Sequence, residues 1–259
     1  ARQVSIGDRI IRMADLESLS EVEQARLVEQ NDGFAEIYPE DKYRIVQLLQ
    51  SKGHMVGMTG DGVNDAPALR QAEMGVAVSD STDVAKASAS MVLTGQGMEV
   101  IVDAIKVSRQ IYQRMLTWVI NKVTKTIQFM GLLTLGFFWL HDIVISLLGM
   151  SLLIFANDFV TISLATDNAA YTSNPNEWNV KNITLASLVV GLLLVVEGSV
   201  AMLVGLNYFH LEWEELLSLV LLTLVFTSQF RVFTVRDRKH FWSSRPGRNL
   251  LISTAVTVD

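Results

Sequence analysis

The sequence predicts an α/β unit built on a parallel sheet, followed by an all-α bundle of membrane-spanning helices. Three observations predict it. Short apolar runs alternate with amphipathic stretches through the first part of the chain, the pattern of strands joined by helical crossovers. Charge is concentrated before about Gln113, and long apolar runs dominate beyond it. Between the two patterns of the first part sits a turn rich in Gly and Asp, Thr59 to Asp65, with strand character before it and a helix after it.

The elements of the α/β part follow in order. Residues 1–30 have helical spacing with irregular apolar content. Ser20 followed by Glu23 predicts a capping box opening a helix through Val28. Asn31-Asp32-Gly33 reads as a turn. Ala35 to Tyr38 predicts a short strand that stops at Pro39, and Glu40 to Gln50 an amphipathic helix with Ile45, Leu48 and Leu49 on one side. Met55 to Gly57 has strand character. Ala66 to Ala72 predicts a helix with Pro67 in its first turn. A strand at Gly75 to Val78, a turn at Ser79 to Ser81, a helix through about Ala87 and a strand at Ser90 to Leu93 complete the alternation.

A long helix is predicted from about Met98. Ser108 to Met115 forms its basic stalk, and Trp118 is placed to anchor at a membrane interface. Spans are predicted at about 116–140, 143–164, 183–209 and 216–233, with another starting at 249. Each complete run approaches the roughly 20 apolar residues that a bilayer requires. His141-Asp142 reads as a tight turn, and residues 166–182 as a polar loop. The sequence thus divides into residues 1–107 and 108–259. Stalk and last loop (Arg231, Arg236, Arg238, Lys239, Arg245, Arg248) are basic, which predicts a cytoplasmic side for both. The acidic loop at Glu212, Glu214 and Glu215 then faces outside.

The 259 residues carry a net charge of −6 and no Cys. The acidic balance argues against a nucleic-acid partner. The lack of Cys excludes disulfides and thiolate metal sites. The chain starts at Ala and ends at an Asp within an apolar run, so both ends are expected to continue in a longer protein.

The Gly- and Asp-rich turn predicts a phosphate and cation site. Thr59, Gly60 and Gly62 form the loop; glycines let backbone N–H groups approach a phosphate at a helix N-terminus. Asp61 and Asp65 supply hard oxygen ligands of the kind Mg²⁺ prefers. An EF-hand is excluded, because Val63 stands where that loop needs Asp or Asn.

Ionisable groups inside spans cost roughly 2.5–3.5 kcal/mol each at the centre on insertion scales, and so point to function. Asn121, Lys125 and Gln128 share one helical face. Asn157, Asp158 and Thr161 cluster in the second span, and Glu197 lies in the third. Asp158 is the best candidate for a transport carboxylate, by binding a metal cation or by taking and releasing a proton. Lys125 could pair with it, replace a second cation, or prevent back-flow. A structural ion pair is the alternative. Lys122 reads as a snorkelling residue near the interface.

The run Thr59-Gly60-Asp61-Gly62-Val63-Asn64-Asp65-Ala66-Pro67-Ala68-Leu69 resembles the hinge signature of P-type cation-transporting ATPases. Tyr38-Pro39-Glu40-Asp41-Lys42 is similar to that family's Pro-x-x-Lys motif. The resemblance implies a haloacid-dehalogenase-like, Rossmann-type phosphorylation domain that uses ATP and Mg²⁺. It implies that Lys42 reaches the phosphoryl group, Asp61 holds Mg²⁺, Asn64 hydrogen-bonds the phosphoryl group and Asp65 supports the metal site. Asp32 to Ala35, Ile111 to Met115, Asn157-Asp158, Phe241-Trp242 and Arg245-Pro246-Gly247 look like the plasma-membrane proton-pump branch. There the Asp matching Asp158 carries the proton, partnered by an arginine on the preceding span. Gln128 stands at that arginine's place, with Lys125 one turn earlier, so Na⁺, K⁺, Mg²⁺ and Ca²⁺ stay open as cargo beside the proton. The phosphorylated Asp-Lys-Thr-Gly-Thr motif is absent from this sequence. The resemblance therefore places the nucleophile and nucleotide site in an N-terminal part of the same pump, and implies a multi-pass protein of the plasma membrane. A membrane-anchored phosphatase or a non-catalytic membrane module are the rival readings.

Overall fold

A computed structural model of the chain describes residues 7–258 except Gln96, Lys239 and Phe241. Three features of the sequence reading lie outside the described residues: the start of the 1–30 stretch, Lys239 of the basic loop, and Phe241 of the Phe-Trp pair. The chain forms two compact units, 1–103 and 104–259.

Among its described residues the first unit holds five short strands, all paired in parallel. β1 (Ile10–Arg12) pairs with β2 (Gly33–Ala35), and β3 (Gly57–Gly60), β4 (Met74–Ala77) and β5 (Met91–Val92) form a second sheet in that order. Parallel neighbours need crossovers, and helices supply them. α1 (Glu21–Gln30) connects β1 to β2, α3 (Ala66–Gln71) connects β3 to β4, and α4 (Asp83–Ser88) connects β4 to β5. α2 (Pro39–Ser51) links the two sheets.

Local chemistry sets several boundaries. The Ser20 capping box is present: the Glu23 N–H donates to Ser20 Oγ at 3.4 Å, and the Ser20 N–H donates to Glu23 Oε2 at 3.2 Å. Pro39 opens α2, where its missing N–H costs nothing. Strand β1 is a correction, because residues 10–12 were read as helical. Three residues are too few to show alternation, and the register with Gly33 to Ala35 decides the matter. That pairing also draws Gly33 from the expected turn into β2 and ends the strand before Tyr38. Met13, Leu16, Ala25, Val28 and Leu48 form one core of this unit; Val46, Ala68 and Ala72 form another.

The long helix is α5 (Met98–Leu140). The second unit continues with α6 (Leu147–Ser163), α7 (Val180–Asn207), α8 (Trp213–Val235) and α9 (Arg248–Val258). Among the described residues four helices are long and apolar enough to cross a membrane: Glu99–Leu140, Leu147–Thr166, Val180–Asn207 and Trp213–Val235. Leu132, Leu153, Met202, Leu216, Val220 and Leu224 form the main core of this unit. Small residues bring α7 close to α5: a Cβ at Gly191 would lie 2.7 Å from Ile127 Cγ2 and 3.4 Å from the Thr124 carbonyl oxygen.

The basic loop needs a correction. Arg231 lies inside α8 and Arg236 caps its end, and both are buried. The Arg236 guanidinium clamps Asp167, with Nε 3.0 Å from Oδ2 and Nη2 3.3 Å from Oδ1. Asp167 also accepts the Gly247 N–H at 2.8 Å. One buried carboxylate thus ties the end of α6 to the end of α8 and the start of α9.

Candidate functional site

In the α/β unit the candidate site grows from the end of β3. The strand stops at Gly60, the chain turns through a single 3₁₀ turn at Val63–Asp65, and α3 begins. Gly60 is required there, because a Cβ would lie 2.5 Å from Asp65 Cβ. Asp65 is 4% exposed. Its Oδ2 accepts the Asp61 and Gly62 N–H groups at 3.1 and 3.2 Å. Its Oδ1 accepts Lys42 Nζ at 2.6 Å. Lys42 stands in the first turn of α2, so the two elements meet through this pair.

Burial by itself would raise the Asp65 carboxyl. The Lys42 ammonium and the two backbone N–H groups outweigh that and hold it below the ordinary carboxylate range.

Asp65, expected to support the metal site, has both its oxygens hydrogen-bonded to Lys42 and the loop. The N–H of Gly62, a residue of the expected phosphate loop, points at Asp65, as does the Asp61 N–H. Asp65 therefore fixes the loop and aims the lysine. Thr59, Asp61 and Asn64 are exposed, and their side chains are the ones left to meet a ligand. Among the described residues no group of three or more His, Cys, Asp or Glu side chains could hold a metal ion. The residues present do fit a Mg²⁺ ion held by one carboxylate, Asp61, together with water and phosphate oxygens, the mode this ion commonly adopts.

In the helical unit, α5 presents polar groups on two sides. Lys122 Nζ lies 2.7 Å from Asp158 Oδ1 on α6 and 5.9 Å from the Trp118 ring centroid. Lys122, not Lys125, is therefore the partner of Asp158. The i, i+4, i+7 count groups Lys125 with Asn121 and Gln128, whereas the structure turns Lys122 toward α6. Lys125 makes no hydrogen bond among the described residues. Asn157 is buried, and its Nδ2 donates to the Leu153 carbonyl in its own helix at 2.8 Å. The Thr161 hydroxyl donates to the Asn157 carbonyl at 2.6 Å.

On the other side, Gln128 and Asn121 meet Arg231 of α8. Nη1 of Arg231 donates to Gln128 Oε1 at 2.7 Å and Nε to Asn121 Oδ1 at 2.8 Å. Gln128 is thus tied to α8 and not to Asp158. Glu197 is exposed on α7 and makes no hydrogen bond or ion pair among the described residues, so the structure does not bring it into the cluster. Arg231 was missed because its place near the end of a span, followed by Arg236 and Arg238, reads as a basic loop. The one available signal was the apolar continuation Val232-Phe233 beyond it.

Comparison with known proteins agrees with both units. The haloacid dehalogenase-like hydrolase family matches residues 4–73. A cation-transporting ATPase of Methanocaldococcus jannaschii is 40% identical over 248 residues, covering 93% of this chain and 31% of that protein. Plasma membrane ATPase 1 of Saccharomyces cerevisiae is 35% identical over 237 residues, covering 88% of this chain and 25% of that protein. The plasma membrane ATPase of Kluyveromyces lactis is 35% identical over the same length, covering 88% of this chain and 26% of that protein. The chain therefore spans less than a third of each of these relatives. With strand β3 ending at the Gly- and Asp-rich turn and, among the described residues, four helices long and apolar enough to span a bilayer, the chain carries a haloacid dehalogenase-like hydrolase domain and is, over most of its length, a homologue of the cation-transporting and plasma membrane ATPases.

Proposed function

We propose that this chain is the C-terminal part of an ATP-driven P-type cation pump of the plasma membrane, working through an aspartyl phosphate and most simply exporting protons. The observation that carries the reading is the Lys122–Asp158 pair, 2.7 Å apart within helices long enough to span a bilayer. The ammonium beside Asp158 already supplies the positive charge that a metal ion would bring, and the half-exposed carboxylate stays within reach of a proton; uptake of that proton breaks the ion pair and its release restores it.

In the α/β unit, Lys42 would offset charge on a phosphoryl group, with Asp65 aiming it. Asp61 would hold Mg²⁺, which supplies charge neutralisation to the transferred phosphoryl group when bound. Thr59 and Asn64 would hydrogen-bond phosphoryl oxygens. Phosphoryl transfer depends mainly on such positioning and charge neutralisation. The phosphorylated aspartate and the nucleotide site belong to the remainder of the pump, so this chain by itself is inactive. The α/β unit lies on the cytoplasmic side in this reading.

Transport of another cation is the second reading. It is favoured by Gln128, which stands where the proton-pump branch has its arginine and is hydrogen-bonded to Arg231 rather than to Asp158. Phosphoenzyme decay in the full-length protein separates the two. For a proton pump the decay responds to pH and ignores Na⁺, K⁺ and Ca²⁺; acceleration by one of those metals at fixed pH selects the other reading.

A further inference from the structure

The Arg231 cluster has no part in that reading. Arg231 is 3% exposed, in the interior of α8. Its guanidinium faces two amide oxygens on α5, Asn121 Oδ1 at 2.8 Å and Gln128 Oε1 at 2.7 Å. Its Nη2 is buried and has no hydrogen-bond partner among the described residues. Among the described residues no carboxylate pairs with it.

The oxygens are held in place. Asn121 and Gln128 are each 2% exposed. Gln128 Nε2 donates to Thr227 Oγ1 at 2.9 Å, which turns its oxygen toward Arg231. Neutral amide oxygens converging on one buried positive charge are what a hard cation requires of its ligands. Burying a charge without a counter-ion is costly, and an apolar side chain of similar length would pack the space more cheaply. The arginine is therefore poorly explained as filler.

We propose that Arg231 is a tethered cation seated in an oxygen-lined site between α5 and α8, where it keeps soluble cations from binding. The residue sets which ions the helical unit admits. It does so without contact to Asp158 and independently of whether Asp158 carries a proton.

The test uses the whole chain in lipid nanodiscs and two substitutions. Arg231→Ala empties the seat and leaves the two amides. Arg231→Met removes the charge but fills the seat. Calorimetry with guanidinium and with Rb⁺ is the readout. The expected result is saturable binding of one of these cations to Arg231→Ala, roughly tenfold or more tighter than to Arg231→Met or the unaltered chain, as hydrogen bonds from guanidinium to buried amide oxygens, or coordination of Rb⁺ by them, imply. Replacing Asn121 and Gln128 by Leu in the Ala background abolishes it. Equal, weak binding by the Ala and Met variants overturns the proposal. If Arg231→Ala is not recovered folded, guanidinium or Rb⁺ at low millimolar concentration during extraction must restore it, and failure of both to do so also overturns the proposal. Because no step measures transport, a negative result leaves the pump reading untouched, and a failed pump reading leaves this one standing.

Discussion

Lys122 Nζ sits 2.7 Å from Asp158 Oδ1, while Lys125, three residues along the same helix, makes no hydrogen bond among the described residues. The two lysines therefore have unequal roles. Lys122→Met in the full-length pump is expected to reduce cation-dependent turnover roughly tenfold or more, as loss of a charge-assisted hydrogen bond implies. Lys125→Met is expected to have the smaller effect. ATP hydrolysis by the two variants, measured side by side, checks the order; equal losses would remove the special place given to Lys122.

Asp65 makes the α/β unit acid-sensitive in a defined direction. Its folded-state pKa is depressed, so its contribution is fully present above the unfolded value of about 3.9 and is lost as pH falls through the lower folded value. Acid unfolding of the chain, followed by amide exchange in residues 57–77, should be steeper below about pH 4 than in Asp65→Asn. Parallel curves would show that Asp65 is not held by Lys42 and the loop.

Gly60→Ala forces a methyl group to within 2.5 Å of Asp65 Cβ. A clash of this kind costs about 1–3 kcal/mol. It should also displace the Asp65 carboxylate from the Asp61 and Gly62 N–H groups. Thermal unfolding, together with exchange rates of those two amides, reads both effects. Protection that survives the substitution would refute the close-approach argument.

Breaking the Asp167–Arg236 clamp should be the most damaging single change in the helical unit. Asp167→Asn leaves a buried guanidinium without its carboxylate and is expected to cost about 3–5 kcal/mol. Asp167→Leu combined with Arg236→Met should recover part of that loss, because the lone buried charge is gone. Thermal unfolding in lipid provides the measurement.

Much of this was legible in the residues, for physical reasons. The Ser20 capping box, the Pro39 start of α2, the helix after the Gly- and Asp-rich turn and the apolar spans all rest on local chemistry, and each stands where the sequence put it within a few residues. Strand β1 was hidden because it exists only through its pairing with residues 33–35. The division of the strands into two small sheets was hidden for the same reason. Within the sites, residue types were readable and partners were not. Spacing shows that Lys122, Lys125 and Gln128 share a helix, but only packing decides that Lys122 meets α6 while Gln128 meets α8. Asp65 is readable as a carboxylate in a glycine turn, but only packing decides that it meets Lys42 and the Asp61 and Gly62 N–H groups.

The central claim is that Asp158 carries the transported charge. Its most direct test is proton uptake by proteoliposomes containing the full-length pump with Asp158→Asn, measured beside the unaltered protein. The account predicts that ATP-driven acidification disappears while the phosphoenzyme still forms. Undiminished acidification by the Asn variant would contradict it.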